Sequence, residues 1–217
     1  MKIEDMPKYH KIHTIWKREP QKPRKLIEGE WSAPEFGYLQ NNQWLFSEKV
    51  DGTNIRIGWD AEDKSICFGG RTERAQLQSS LVTRLTELFT SEKLLAVFPE
   101  NQVILFGEGY GAKIQKSGGK YKSDGVDFAL FDISIGNWWL KRERVEEIAR
   151  ELNIGIVPFV GCGTLANAVK LCKEGFNSAW GDFLAEGLVM RPAVELRDRG
   201  WRRVIAKLKY RDFHRSE

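Results

Sequence analysis

Hydrophobic and polar residues alternate along several short stretches of the chain, and an alternation with a period of two predicts β-strands. The sequence "DGTN" between the first two such stretches is typical of a hairpin turn, and Gly136-Asn137 predicts a tight turn after the fifth. Short strands joined by turns are therefore the main pattern of the sequence. The predicted strands cover residues 44–50, 54–59, 65–69, 102–108, 126–133, 183–190 and 202–209.

A second pattern, with hydrophobic residues three and four positions apart, predicts three helices. They are expected at residues 79–90, where a serine is available as a cap, at 141–152, and at 164–174, which is entered through Thr164. Residues 1–40 show neither pattern and are rich in Lys, Arg and Pro, so an irregular N-terminal lead-in is expected there.

Strands joined by turns outnumber strand–helix alternations, which favours an antiparallel-rich α+β fold over a parallel, doubly wound sheet. At 217 residues the chain is long enough to bury a substantial core, and it contains no repeat and no linker. A single domain over residues 1–217 is therefore expected. Hydrophobic residues make up 41% and aromatic residues 12% of the chain, which is typical of a globular protein.

Charge and cysteine content indicate which partners and which cellular compartment suit the protein. The net charge of +4 permits a phosphate-rich partner without requiring one. Three widely spaced cysteines predict neither a disulfide framework nor a zinc site, which favours a reducing cytoplasm. His10 and His13 have no cysteine or acidic cluster beside them and are interpreted as surface histidines. Because no stretch approaches about eighteen apolar residues, no membrane span is expected.

Several charged residues lie within or at the end of apolar strands, where burial is costly unless the group has a partner or a ligand. Lys49 precedes Asp51-Gly52 and is either a solvated lysine entering a hairpin or a nucleophile. Glu108 enters a glycine-rich segment after four apolar residues, and its alternative is an edge-strand acid paired with a basic neighbour. Glu186 repeats this pattern, an acid inside an apolar strand followed by glycine.

Two further strands carry candidate residues. Strand alternation predicts that Phe128, Leu130 and Asp132 share one face and that Phe131 lies on the other with Ala129 and Ile133, where Phe131 could simply be core. Lys207 and Lys209 are two apart, so both ammonium groups are expected on one side of their strand. Such a pair either faces an anion or protects an exposed edge strand.

Together these residues suit the attack of a lysine amine on a phosphate. An amine is nucleophilic only without its proton, and neighbouring cations favour that form. Carboxylates can hold Mg²⁺ and ribose hydroxyls, while paired lysines and a metal can neutralise the charge of a transferring phosphate.

The same segments, in this order, resemble the motifs of the covalent nucleotidyltransferases, which comprise DNA ligases, RNA ligases and mRNA capping enzymes. They span residues 49–209, about three quarters of the chain. The resemblance implies an α+β nucleotidyltransferase domain, an ATP-grasp-like ligase adenylation domain with antiparallel sheets and flanking helices. The matching segments are "KVDGTN" at 49–54, "GGRTER" at 69–74, "LFGEGYG" at 105–111, "LFDI" at 130–133, "AEGLVMRP" at 185–192 and "AKLK" at 206–209.

The resemblance also implies roles for these residues. It implies that Lys49 is adenylated by ATP and that Lys207 and Lys209 contact the α-phosphate. It gives Glu186 a catalytic and metal-linked role with Mg²⁺ or Mn²⁺, and makes Glu108 a ribose ligand that could also reach the metal through water. The resemblance also implies that four further residues bind the nucleotide, Glu48, Asp51, Arg71 and Phe131. It includes three more residues as members of the motifs, Gly52, Asn54 and Asp132.

Within the superfamily, "EKVDGTNIR" and "EGLVMRP" are most similar to RNA ligases of the RNA ligase 2 type, including small phage-encoded ones. The resemblance therefore implies an ATP-dependent RNA ligase for RNA repair that joins RNA 3′-hydroxyl and 5′-phosphate ends, in the host cytoplasm if a phage encodes it. Arg71, Arg74 and Lys113 are candidates for contacts with the nucleic acid backbone, and the alternative for Arg74 and Lys113 is solvated surface charge. The alternatives are a DNA or mixed-strand nick ligase, and a non-catalytic nucleic-acid-binding module.

The position of the last motif adds one expectation. Only eight residues follow Lys209, which leaves no room for the C-terminal domain that related enzymes use. Less efficient sealing without help is therefore expected, with an accessory protein or dimerisation as a possible replacement for that domain.

Overall fold

A computed structural model describes residues 2–22 and 25–214, which divide into two compact units. Unit 1 contains the described residues through Tyr9 together with Asp51–Val157. Unit 2 contains His10–Val50 and the described residues from Pro158 onward. Each unit is therefore assembled from separated segments of the chain and is described by itself below.

The fold is α+β with mainly antiparallel sheets, as the alternation of hydrophobic residues predicted. Short 3-10 helices lie at Ile3–Asp5 and Tyr210–Asp212. The helices are α1 (Pro34–Tyr38), α2 (Ser79–Leu88), α3 (Ser91–Val97), α4 (Gly118–Tyr121), α5 (Arg142–Glu151) and α6 (Leu165–Glu174). The strands are β1 (His13–Thr14), β2 (Trp16–Arg18), β3 (Leu26–Trp31), β4 (Trp44–Glu48), β5 (Thr53–Asp60), β6 (Ser65–Gly70), β7 (Gln102–Gly111), β8 (Val126–Ile135), β9 (Trp138–Trp139), β10 (Gly155–Ile156), β11 (Phe159–Gly163), β12 (Gly187–Pro192) and β13 (Ala206–Lys209).

Unit 1 is built on a six-stranded sheet in the order β10-β8-β7-β5-β6, with β9 added to β8. All its pairs are antiparallel except β10 with β8. Helices α2 and α5 supply apolar side chains that pack against one face of the sheet, among them Leu81, Leu85 and Val145. The resulting core is a single buried cluster that keeps β5, β7 and β8 in place.

A β-bulge in β8 changes which residues share a face. The pairing of β7 with β8 runs Phe106 with Asp132 and then Gly107 with Leu130, so Phe131 is an extra residue. Leu130 and Ile133 therefore both belong to the core cluster. The prediction that Asp132 shares a face with Phe128 and Leu130 was wrong, because strict alternation assumes a strand without a bulge.

Unit 2 contains a five-stranded sheet in the order β1-β13-β12-β4-β11 and a small sheet formed by β2 and β3. Helix α6 packs on the larger sheet through Leu165, Ala168 and Cys172. The hydroxyl of Thr164 accepts from the backbone N–H of Asn167 and caps the helix, as predicted. Helix α2 differs, since its N-cap is Gln78 and has no side-chain cap.

The structure corrects the expectation of an irregular lead-in over residues 1–40. This region contributes β1, β2, β3 and α1, and Ile15 and Phe36 are buried in the core of unit 2. Strands β1 and β2 are too short for a hydrophobic period to show in the sequence, and burial does not alternate along β3. The described part of the chain contains no helix long and apolar enough to cross a membrane. The cysteines Cys67, Cys162 and Cys172 are free.

Candidate active site

Three charged side chains meet in unit 2. The ammonium nitrogen Nζ of Lys49 lies 2.6 Å from Oε2 of Glu186, and Nζ of Lys209 lies 2.5 Å from Oε1 of the same carboxylate. The three side chains are 21%, 12% and 16% exposed, respectively. Sequence reasoning named all three residues, and the structure joins them into one hydrogen-bonded cluster.

The cluster forms where the ends of three adjacent strands meet. Strand β12 pairs with β4 on one side and β13 on the other, with Leu188 opposite Glu48 and Gly187 opposite Lys209. The backbone N–H of Lys49 donates to the carbonyl of Gly187 at 2.9 Å. Lys49 and Glu186 were predicted inside strands but lie just outside them, Lys49 after β4 and Glu186 before β12. At a strand end their side chains are not confined to one face of a sheet.

Charge in this cluster is unbalanced. Burial by itself would raise the pKa of Glu186, but the charges and hydrogen bonds of Lys49 and Lys209 outweigh it and hold that pKa below its ordinary value. The carboxylate is therefore ionised at neutral pH and faces two ammonium groups. The surplus positive charge in a partly buried position suits an anion such as a phosphate.

Lys207 lies on the same strand as Lys209, two residues earlier. Both lysines are partly exposed, whereas Ala206 before them and Leu208 between them are buried, so both lysines lie on one face, as predicted. Strand β13 lies between β1 and β12 in the sheet. The alternative of lysines protecting an exposed edge strand is therefore wrong.

Glu48, the residue before Lys49, is buried and has partners of its own. Its carboxylate accepts from the hydroxyl of Ser178 at 2.6 Å and from the backbone N–H of Ala179 at 3.0 Å. Burial raises the pKa of Glu48, although both hydrogen bonds act in the opposite direction. Glu48 thus fastens the 178–180 loop beside the lysine. Sequence reasoning missed Ser178, which has no motif to mark it.

In unit 1, the turn after the lysine packs closely against β7. A Cβ atom at Gly52 would lie 2.3 Å from the carbonyl oxygen of Gly109 and 2.7 Å from Cγ of Glu108, so only glycine fits there. The backbone N–H of Asp51 donates to the hydroxyl of Tyr121 at 3.2 Å. Asn54 pairs with Glu108 across β5 and β7. The structure thus joins the residues of two predicted motifs.

Two details of this region bear on ligand binding. The side-chain oxygen Oδ1 of Asn54 is buried and has no hydrogen-bond partner among the described residues. A buried acceptor without a partner is costly, which makes it a candidate ligand contact. Glu108 is partly buried, and β7 lies inside its sheet between β5 and β8. The alternative of an edge-strand acid at Glu108 is therefore wrong.

The bulge in β8 brings Phe131 and Asp132 together beside Tyr9. The hydroxyl of Tyr9 donates to Oδ2 of Asp132 at 2.6 Å, and its ring centre lies 5.1 Å from that of Phe131 at an angle of 74°. Phe131 is partly exposed and lies outside the core cluster, which disfavours the alternative that it is simply core. Tyr9 lies in the segment interpreted as irregular, so the sequence carried no signal for it.

The remaining candidates are surface residues of unit 1. Arg71 follows β6 and is exposed, as are Arg74 and Lys113. None of the three is buried, so they are accessible to a nucleic acid backbone or to solvent alike.

The donor set for a metal ion is sparse. Among residues 2–22 and 25–214 no group of three or more His, Cys, Asp or Glu side chains could hold a metal by itself. Mg²⁺ commonly binds through one or two carboxylates together with substrate phosphates and water. The ionised Glu186 carboxylate fits that pattern as a single protein ligand.

Comparisons with known proteins agree with this geometry. The model of the RNA ligase family matches residues 42–209. That range includes every candidate residue named above except Tyr9. No curated protein matches the chain by sequence.

Solved structures of an RNA ligase from Naegleria gruberi share the fold. An apo variant matches with a TM-score of 0.67 and 18% identity, covering 96% of this chain and 57% of the other. A variant with ATP and Mn matches with a TM-score of 0.67 and 18% identity, covering 96% and 59%. The ligase with PPi matches with a TM-score of 0.66 and 18% identity, covering 94% and 57%. This chain thus spans less than two thirds of the length of these structures.

Proposed function

This chain belongs to the RNA ligase family, and from that premise we propose that it is an ATP-dependent RNA ligase that works through a covalent lysyl-AMP at Lys49. The observation that carries the proposal is the Lys49–Glu186–Lys209 cluster. It places a primary amine beside a second ammonium group and an ionised carboxylate at the ends of three strands. An amine, a cation for the phosphate charge and an acid for a metal are the groups that nucleotidyl transfer to lysine requires.

In the first step, the unprotonated Nζ of Lys49 attacks the α-phosphorus of ATP. A nitrogen–phosphorus bond forms, the bond from the α-phosphorus to the bridging oxygen breaks, and pyrophosphate leaves. The ammonium group loses one proton to solvent before the attack, and the nitrogen loses a second to solvent when the nitrogen–phosphorus bond has formed. Lys209, and Lys207 on the same face of β13, stabilise the negative charge that develops on the α-phosphate oxygens.

Glu186 has two roles in this step, since it contacts the attacking lysine and can bind a metal ion. Its carboxylate contacts Nζ of Lys49 at 2.6 Å, a contact that the amine has to leave before it reaches the α-phosphorus. A divalent metal such as Mg²⁺ or Mn²⁺ at Glu186 would supply the positive charge that balances this carboxylate. The Naegleria ligase structures with ATP and Mn support this choice of cofactors.

Unit 1, taken by itself, carries groups suited to the rest of a nucleotide. Glu108 and Oδ1 of Asn54, which has no hydrogen-bond partner among the described residues, are the groups for ribose hydroxyls. Phe131 offers a partly exposed aromatic ring for the base, held by Tyr9, which also binds Asp132. Arg71 is the cation for the nucleotide or for an incoming 5′-phosphate.

Two further transfers then join RNA ends. An oxygen of an RNA 5′-phosphate attacks the phosphorus of the lysyl-AMP, which releases the Lys49 amine and gives an AMP-capped end. An RNA 3′-hydroxyl attacks the 5′-phosphorus of that end, a phosphodiester forms and AMP leaves.

The proposal is tested by intact mass. The protein is incubated with ATP and Mg²⁺, and a gain of one AMP is expected. Lys49→Ala should show no gain, because the acceptor nitrogen is gone. Lys17→Ala is the matched control, since Lys17 is a surface lysine of unit 2 whose ammonium lies 3.5 Å from Glu30. An AMP adduct that persists in Lys49→Ala, or no adduct in the unaltered protein, would contradict the proposal.

A further inference from the structure

A hairpin of unit 2, residues 193–205, joins β12 to β13 and carries an unusual combination of side chains; we call it the arginine hairpin. We propose that the arginine hairpin binds an unpaired segment of the RNA substrate, with Trp201 stacking on one base. The inference rests on the proposed function, because it supplies that enzyme with a site for its RNA strand.

The arginine hairpin is an ordered structure rather than a loose loop. Its arms are joined by hydrogen bonds from the backbone N–H of Val204 to the carbonyl of Leu196 at 2.9 Å, and from that of Asp198 to the carbonyl of Arg202 at 2.8 Å. The Asp198 carboxylate accepts from the backbone N–H groups of Gly200 and Arg202 and closes the tip. A preformed surface loses little conformational freedom on binding.

Trp201 at the tip is placed towards solvent. Its side chain is 78% exposed, and its φ of +61° lies in the left-handed region that bulky residues rarely adopt. The guanidinium carbon of Arg197 lies 5.8 Å from the centre of its ring. An exposed indole held in a fixed turn has no role in packing the core. It offers a flat surface on which a base can stack.

Charge points to a polyanion as the partner. The arginine hairpin contains four arginines and two acids, so its net charge is positive. Arg203 is buried and pairs with Glu195, and Arg202 pairs with Asp198. Arg197 and Arg199 are exposed. Arginine next to an exposed aromatic ring is typical of surfaces that bind single-stranded nucleic acid.

The distance from the hairpin tip to the candidate active site suits an RNA strand that is bound at the hairpin and ends at that site. Trp201 is eight residues from Lys209, which in strand geometry is at most about 27 Å. At about 3.4 Å per nucleotide, a strand of about eight nucleotides covers that distance. A base inside a duplex has both faces stacked already, so stacking on Trp201 selects an unpaired strand.

The test measures RNA binding independently of catalysis. The probe is a fluorescent single-stranded RNA of about twelve nucleotides with a 5′-hydroxyl, which cannot accept AMP, and binding is followed by fluorescence anisotropy. Trp201→Ala should weaken binding between about 5-fold and 150-fold, whereas Trp201→Phe should keep most of it. Trp138→Ala is the matched control, because Trp138 is 79% exposed in unit 1 and has no part in the hairpin.

A second variant addresses charge. Arg199→Gln should lower the slope of log affinity against log salt by about 0.7, the value for one phosphate contact on a single strand. Circular dichroism of each variant checks that it is folded. AMP transfer to the unaltered protein is measured in parallel, and its failure would count against the proposed function while leaving the binding result intact.

Three results would overturn the inference. The first is Trp201→Ala binding the probe as tightly as the unaltered protein. The second is an equal loss in Trp138→Ala. The third is equally tight binding of the same sequence as a duplex, with an equal loss in Trp201→Ala. If Trp201→Ala instead abolishes self-association in gel filtration and leaves RNA binding unchanged, the hairpin is an interface between two copies and the inference is wrong.

Discussion

At the scale of single residues, the candidate site depends on how one carboxylate is shared. Each oxygen of Glu186 contacts a different lysine, so removing this acid leaves two partly buried ammonium groups without their counter-charge. Neighbouring Glu48 shows the opposite behaviour, because its partners are a hydroxyl and a backbone N–H rather than cations. The pKa values of these two acids therefore move in opposite directions.

We expect Glu186→Gln to destabilise the protein at pH 7 by about 1–3 kcal/mol, since a partly buried charge pair loses one partner. The folded-state pKa of Glu186 lies below the ordinary 4.5, so its contribution is complete above that value and is lost as the pH falls through the folded pKa. The difference between variant and unaltered protein should therefore shrink on acidification. Urea unfolding from pH 7 down to about pH 3 measures it.

Glu174→Gln serves as the control for this experiment. Glu174 is an exposed acid of α6 that lies 3.8 Å from Lys170, and such surface pairs contribute little to the free energy of unfolding. A difference between Glu186→Gln and the unaltered protein that stays constant from pH 7 to pH 3 would show that the ionised carboxylate is not what stabilises the cluster.

At the scale of elements, the start of β12 sets the position of Glu186. Gly187 has a φ of +152° and lies opposite Lys209, and a Cβ atom there would be 2.1 Å from the carbonyl oxygen of Leu208. Because the obstacle is backbone of the paired strand, β12 and β13 would have to separate to accept any side chain.

Gly187→Ala is therefore expected to lower the free energy of unfolding by about 2–4 kcal/mol. It should also reduce AMP transfer, since Glu186 and Lys209 flank the pair that is forced apart. Gly119→Ala is the control, because no atom lies within 4 Å of its added Cβ. Denaturant unfolding and intact mass give the two readouts. Wild-type AMP transfer in a destabilised Gly187→Ala would mean that the end of β12 does not position the cluster.

Sequence patterns predicted those elements whose signals are local. Helix α6 begins where Thr164 predicted it, and β5 and β6 lie within a residue or so of the predicted bounds. The bulge at Phe131 depends on pairing with β7, and β1 depends on pairing with β13, which is distant in sequence, so neither had a local signal.

The candidate site likewise contains residues that the sequence predicted and residues that it did not. Lys49, Glu186 and Lys209 were predicted from acids and lysines placed within or beside apolar runs, and the structure places them in contact. Tyr9 and Ser178 were not predicted, because each is tied to the site by a hydrogen bond to an acid more than a hundred residues away in sequence. Such residues carry no pattern until the chain is folded.

At the scale of the whole molecule, net charge should affect the binding of RNA and the binding of ATP to different extents. The chain has a charge of +4, and single-stranded RNA presents many phosphates to it, whereas ATP presents only three. Each neutralised phosphate of a single strand releases counterions and adds about −0.7 to the slope of log affinity against log salt. Surface charges are screened over about 10 Å at 0.1 M salt, and the partly buried Lys49–Glu186–Lys209 cluster much less.

We therefore expect RNA affinity to fall steeply between about 50 and 200 mM salt, while the rate of AMP transfer from ATP changes much less. Anisotropy with the twelve-nucleotide probe and timed intact-mass measurements across the same salt series give the two dependences. Replacing chloride by acetate at constant ionic strength separates specific anion effects from screening. If AMP transfer falls as steeply as RNA binding, the positive charge that attracts ATP lies on the exposed surface, and the partly buried cluster is not its phosphate site.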